Sequence, residues 1–186
     1  MTETPDIVAE PITVQPEFDF WLYAKISGES RLDHALLETL EQRWNEFKPE
    51  LAAHRLTRTR GGAQYLLLYL SQKVEAVVDE AWKESPTLGL ALHNLAVSLV
   101  MGAARELVPE LEQDKCAPMP KPTAAIQDAF EALGLNWNAD ATLDRKYAVF
   151  TNLPYKGGCE ICFLEEGCTQ RKLAERWSKD QGAPQP

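Results

Sequence analysis

Apolar residues recur at three- and four-residue steps along most of the chain, and those steps predict helices. From Leu32 the set Leu32, Leu36, Leu37, Leu40, Trp44 and Phe47 forms one side of an amphipathic helix that ends at Phe47-Lys48, ahead of Pro49. Tyr65, Leu66, Leu68, Tyr69, Val74, Val77, Val78 and Trp82 sustain a second helical pattern that reaches Glu84 and is broken by Ser85-Pro86-Thr87. Thr87 stands as the N-cap of a third helix, in which Leu88, Leu92, Leu95, Leu99 and Val100 alternate with the small Gly89, Ala91, Ala96, Gly102, Ala103 and Ala104. Small residues on both sides predict a central helix closely approached by its neighbours.

Thr123 would cap a fourth helix through Ala125, Ile126, Ala129, Phe130 and Leu133, with Gly134 as its stop. A short last helix over residues 170–179 follows Thr169 and carries Leu173 and Trp177 on one face. The aromatic run 18–23 reads as a short strand or an anchor, and 143–150 is open between helix and strand. No Asn-Gly or Asp-Gly hairpin turn separates alternating segments, and no period of solenoid length repeats. The expected fold is therefore mainly α: a single-domain helical bundle with a Cys-rich metal-binding loop near the C-terminus and at most a minor β element. Pro5, Pro11 and Pro16 mark residues 1–17 as an extended N-terminal arm, 18–180 form the helical metal-binding domain, and 181–186 are a frayed tail.

Composition narrows the function. The 186 residues, 45% hydrophobic and 25% charged, have the balance of an ordinary globular chain. Its 28 acidic and 19 basic residues leave a formal charge of -9, which repels nucleic acid and anionic lipid. The first residues lack the charged and apolar regions of a secretory signal, so the cytoplasm is the expected compartment. The most apolar stretch, 88–104, is interrupted by His93, Asn94 and Ser98 and falls short of the roughly 20 residues of a membrane span, so it reads as a buried helix. In a reducing compartment four cysteines point to metal ligation rather than disulfides.

Three of those four lie in Gly157-Gly158-Cys159-Glu160-Ile161-Cys162-Phe163-Leu164-Glu165-Glu166-Gly167-Cys168, a Cys-x2-Cys-x5-Cys arrangement. A Cys-x2-Cys pair presents two sulfurs from one backbone turn, and the flanking glycines leave amide groups free to point at a sulfur-bound anion. A cubane cluster needs a fourth thiolate, commonly from elsewhere in the chain, and Cys116 is the remaining candidate. Pro118, Met119, Ile161, Phe163 and Leu164 would form an apolar shell around it. Four-thiolate zinc sites usually join two knuckles, and only one is intact here, so a [4Fe-4S] cluster held by Cys116, Cys159, Cys162 and Cys168 ranks ahead of zinc. The spacing from Cys159 to Cys168 resembles the cluster-binding triads of FNR-type oxygen regulators, WhiB-type proteins and endonuclease III-type glycosylases. That resemblance covers ten residues and implies cluster ligation only.

Other candidates carry plainer readings. Arg55, Arg58 and Arg60 precede Gly61-Gly62 and an expected helix start, a candidate anion site that a solvated loop explains as well. Arg171, Lys172, Arg176 and Lys179 would offset thiolate charge or form the exposed face of the last helix, and His93 reads as a core histidine. No organic catalytic motif is present. The expected function is redox sensing or electron relay to a larger protein partner. The alternatives are a zinc-stapled helical adaptor or assembly chaperone for a metalloenzyme and, further behind, a nucleic-acid-acting enzyme with a structural cluster.

Overall fold

Leu66, Leu67 and Leu68 are all fully buried, at 0% exposure, and three consecutive residues can be buried together only where both faces of the backbone are covered. In the computed structural model, which describes residues 5–29, 31–113, 116–138 and 142–168, they form the middle of a strand. Four strands, β1 (Ile7–Pro11), β2 (Leu51–Arg58), β3 (Gln64–Leu70) and β4 (Ala148–Leu153), pair antiparallel in the order β1-β2-β3-β4. The expectation of a mainly α bundle is therefore corrected: the protein is a mixed α/β fold built on a four-stranded antiparallel sheet. The helical pattern read from Tyr65 to Trp82 divides at Ser71 into β3 and a helix. A doubly covered strand shows no period-two alternation, which is why it passed for part of a helix.

The β2–β3 turn also escaped the sequence reading. Gly61 and Gly62 adopt φ of 89° and 66°, left-handed values that glycine takes without steric cost, and the Arg58 N–H donates to the Ala63 carbonyl at 2.8 Å. Gly61-Gly62 thus closes a hairpin and does not precede a helix. At the β1 edge of the sheet, the described part of the segment expected as an arm, residues 5–17, is joined to the fold. Its β1 lies along β2, and Ile7 is buried.

Among the described residues five α-helices accompany the sheet: α1 (Phe20–Ser27), α2 (His34–Phe47), α3 (Gln72–Glu84), α4 (Pro86–Leu107) and α5 (Ala124–Ala132). The run 18–23 is neither strand nor simple anchor. Asp19 caps α1 by accepting from the Trp21 and Leu22 amides at 2.8 and 3.1 Å, and Tyr23 on that helix is fully buried. Helix α2 matches its expected period, burying Leu40, Trp44 and Phe47, with Asp33 accepting from the Leu36 amide at 2.7 Å. Ser85, not Thr87, caps α4, and Pro86 takes the first helical turn, where its missing N–H costs nothing.

Helix α4 is the hub. Leu92, Leu95, Ala96, Leu99, Ala103 and Ala104 are buried along it, where they join Leu66, Leu68 and Leu70 of β3, Val149 of β4 and residues of α1, α2 and α3 in one core. By length and composition alone α4 would suffice to cross a membrane; here 56% of its most apolar window is buried inside the protein. The opposite face of the sheet carries Leu56, Leu67 and Phe150, covered by Ile126, Ala129 and Phe130 of α5. The sheet thus lies between α4, itself surrounded by α1, α2 and α3, on one face and α5 on the other.

Segment 116–122 connects these layers at the β4 edge. Ala117 packs with the α4 core and Met119 with the α5 core, while between them the Pro118 carbonyl accepts from Thr151 Oγ1 of β4 at 3.1 Å. Beyond β4 the chain turns into Tyr155 and the cysteine loop. The expected last helix, with Arg171, Lys172, Leu173, Arg176, Trp177 and Lys179, and the tail 181–186 lie outside the described residues.

Candidate metal centre

The cysteine loop is short-range structure throughout. Cys159–Ile161 and Glu165–Gly167 form single 3-10 turns, closed by hydrogen bonds from the Cys162 amide to the Cys159 carbonyl at 3.0 Å and from the Cys168 amide to the Glu165 carbonyl at 3.3 Å. Each turn ends on a cysteine. Gly158, at φ 110°, starts the first one, and a side chain there would also run into the Glu160 carboxylate. These turns present Cys159, Cys162 and Cys168 from one short stretch of backbone, as the Cys-x2-Cys-x5-Cys spacing predicts.

Cys116 is brought to them by a backbone lattice between two segments 43 residues apart. The Met119 amide donates to Cys162 Sγ at 3.4 Å, and the Phe163 amide donates to the Met119 carbonyl at 2.9 Å. Tyr155 adds a third link, its hydroxyl donating to the Cys116 carbonyl at 2.9 Å. All four cysteines line one cavity of about 470 Å³, whose other walls are Pro118, Tyr155, Gly157, Gly158 and Glu165. None of the four forms a disulfide.

Electrostatics report the same proximity. Burial pushes the Cys116 thiol above its usual pKa, and the sulfurs of Cys162, Cys168 and Cys159 raise it further. The Tyr155 phenol is raised as well, first by burial and then by Cys116, Glu110 and Cys159. A cation bound beside Cys116 would relieve this opposition, because ligation deprotonates the thiol while the metal's charge offsets the neighbouring sulfurs.

Tetrahedral zinc at a Zn–S distance of about 2.3 Å requires its sulfurs about 3.8 Å apart. Among the described residues, no three His, Cys, Asp or Glu side chains converge in a way that holds a single metal ion. The four cysteines share the lining of one cavity without forming such a group.

The expected apolar shell is only partly present. Pro118 lines the cavity, but Ile161 and Phe163 are each 41% exposed, among the most exposed large apolar side chains described. The wall missed by the sequence reading is Tyr155. Its signal was an aromatic residue two positions before Gly157-Gly158, where a bulky side chain at 157 would obstruct the ring.

The other candidates do not converge. Arg55 and Arg58 are three apart on β2 and therefore point to opposite faces of the sheet, and Arg60 sits in the hairpin turn. Arg55, Arg58 and Arg60 thus form no single anion site, and no helix N-terminus follows them. His93 on α4 is half-buried and hydrogen-bonded through Nδ1 to the Tyr147 hydroxyl at 3.1 Å, in keeping with a structural histidine. No family model matches the chain, nor does any curated protein or solved structure.

Proposed function

We propose that the protein holds a [4Fe-4S] cluster through Cys116, Cys159, Cys162 and Cys168 and uses it in redox sensing or in electron relay to a larger cytoplasmic protein partner. The observation that carries this reading is the convergence of four cysteines from two distant segments on one cavity. A bound cluster would supply reversible one-electron transfer. The protein's own contribution is position: the Met119 amide directed at Cys162 Sγ favours electron density on that sulfur, and the exposure of Cys116 and Cys159 keeps the centre near the surface, where electrons or oxidants reach it.

A second reading, zinc as a structural staple of an adaptor or assembly chaperone, draws on the knuckle-like turn from Cys159 to Cys162. Anaerobic purification followed by visible absorption and iron, sulfide and zinc analysis separates the two. The cluster reading expects a brown protein with about four iron and four sulfide per chain, and Cys116→Ser is expected to lose most of both. A colourless protein with stoichiometric zinc would establish the staple instead, and undiminished cluster content in Cys116→Ser would remove Cys116 from the ligand set.

A further inference from the structure

Cys159, Cys162 and Cys168 sit on one loop and are positioned by its own turns, whereas Cys116 follows a different segment and depends on cross-links to reach them. Two hydrogen bonds, from the Met119 amide to Cys162 Sγ and from the Phe163 amide to the Met119 carbonyl, hold Met119 against the loop, but they act three residues beyond Cys116. The contact made at Cys116 itself comes from Tyr155. Its hydroxyl donates to the Cys116 carbonyl at 2.9 Å, and its ring forms part of the cavity wall that all four cysteines share.

The ring is held from the other side by Gly157. A Cβ at that position would lie 2.9 Å from Tyr155 Cε1 and 3.1 Å from its hydroxyl oxygen, closer than side chains tolerate. Unlike Gly158, Gly157 has no left-handed φ, so its backbone accepts alanine and the only thing a methyl group changes is the room available to the ring. Glycine at 157 is thus explained by Tyr155, and Tyr155 by Cys116.

We infer that Tyr155 is the positioning residue for the fourth ligand: a latch, seated on Gly157, that holds Cys116 against the triad loop whether or not a metal is bound. This rests on the four-cysteine reading above and adds to it a control point. Release of the Tyr155 hydroxyl loosens the one ligand that the loop does not carry, leaving it held through Ala117 and Pro118 alone, so the centre's weakest attachment is set by a phenol outside the ligand set. The expected order of events in metal loss is detachment at Cys116 first, with the triad retaining its hold longest.

The test uses Tyr155→Phe, which keeps the ring and removes the hydrogen bond, and Gly157→Ala, which displaces the ring. Both are first compared with the wild type by circular dichroism and thermal unfolding, which neither is expected to alter. In metal-free protein treated with the dithiol oxidant diamide, two thiols give up two electrons and two protons to the azo group and close a disulfide. The yield of disulfides joining Cys116 to a triad cysteine, relative to Cys159–Cys162 disulfide, measures how well Cys116 is held. Tyr155→Phe is expected to lower that ratio about fivefold, the effect of one hydrogen bond of ordinary net strength, and Gly157→Ala to lower it further.

In metal-loaded protein the same variants should speed metal release to a chelator by a similar factor. In the fraction of Cys116→Ser protein that still takes up metal the added effect of Tyr155→Phe should disappear, because the backbone it holds no longer carries a ligand sulfur. Unchanged disulfide ratios, or a Tyr155→Phe effect that persists undiminished without Cys116, would overturn the latch. A wild type that takes up neither iron nor zinc would instead sink the metal reading, and the disulfide ratios would still decide the latch.

Discussion

The α4 core and the cysteine corner are held together by different means. Around α4, residues such as Leu95, Leu99 and Ala103 are at 0% exposure, and the sheet and four helices contribute to the same apolar cluster. At the cysteine corner none of the residues 154–168 is fully buried; its order comes from two 3-10 turns, a few hydrogen bonds to segment 116–119 and the packing of Tyr155 and Ala117 against the margin of the α4 core. Apolar burial contributes about 25 cal/mol per Å² and needs no ligand, while one hydrogen bond nets about 1 kcal/mol. The first region folds by itself, and the second is the part whose geometry a metal would complete. The lesson is a division of labour: the α4 scaffold fixes where the two cysteine segments meet, and under the proposed metal reading the meeting place is left weak enough to respond to its ligand.

The largest effect that follows concerns the scaffold. Leu99→Ala removes a fully buried side chain from the middle of α4 and should destabilise the protein by about 3–5 kcal/mol. Urea denaturation with a fixed slope measures it. Metal content of the folded fraction should stay unchanged. If the metal is lost in proportion to global stability, the two regions form one cooperative unit and the comparison fails.

Gly158→Ala makes the reverse test. At φ 110° and against the Glu160 carboxylate, a methyl group here strains the loop by about 1–3 kcal/mol. Because the loop contributes little to the scaffold, the urea midpoint should move by less than the error of the measurement. Metal release to a chelator should accelerate by about fivefold to about a hundredfold, since about 1.4 kcal/mol is a factor of ten. A shifted midpoint with unaltered release would show that the loop is part of the core.

How much of this was legible in the sequence divides along the same line. The cysteine triad could be read because its chemistry is local: spacing, glycines and turn all lie within twelve residues, 157–168. Cys116 was assigned by elimination, and only the fold explains its position, through the crossing of segment 116–119 over the β4 edge. Helices α2, α4 and α5 were legible because one face of each is apolar at helical period. The sheet was not. Leu66-Leu67-Leu68 carries no alternation when both faces are covered, and Gly61-Gly62 served a turn that was sought as Asn-Gly or Asp-Gly. Tyr155 was missed because nothing local distinguishes an aromatic residue that holds a distant carbonyl from one that packs.

Tyr147 tests the comparison most finely, because it stands just before β4, the strand whose other end leads to the cysteine loop. It is buried in the α4 core and hydrogen-bonded to His93 at 3.1 Å, and its phenol is pushed up to about 12, first by burial and then by Asp79 and Glu75. Tyr23, also buried in that core, is pushed up to about 12 by burial and then by Glu29. A folded-state pKa above the unfolded value of about 10 means that the folded protein retains its proton longer. The contribution is fully present below pH 10 and is lost as pH rises through 12, so urea stability should fall across that window. Tyr147→Phe should cost about 1 kcal/mol at neutral pH for the lost hydrogen bond and flatten part of the alkaline decline, with the Tyr23 share remaining. Metal retention at neutral pH should not change, because the perturbation lies in the scaffold, at the far end of β4 from the cavity. A variant that releases metal faster while its neutral stability is intact would show that β4 carries strain from one region to the other, and the scaffold would then be a participant in the site rather than its support.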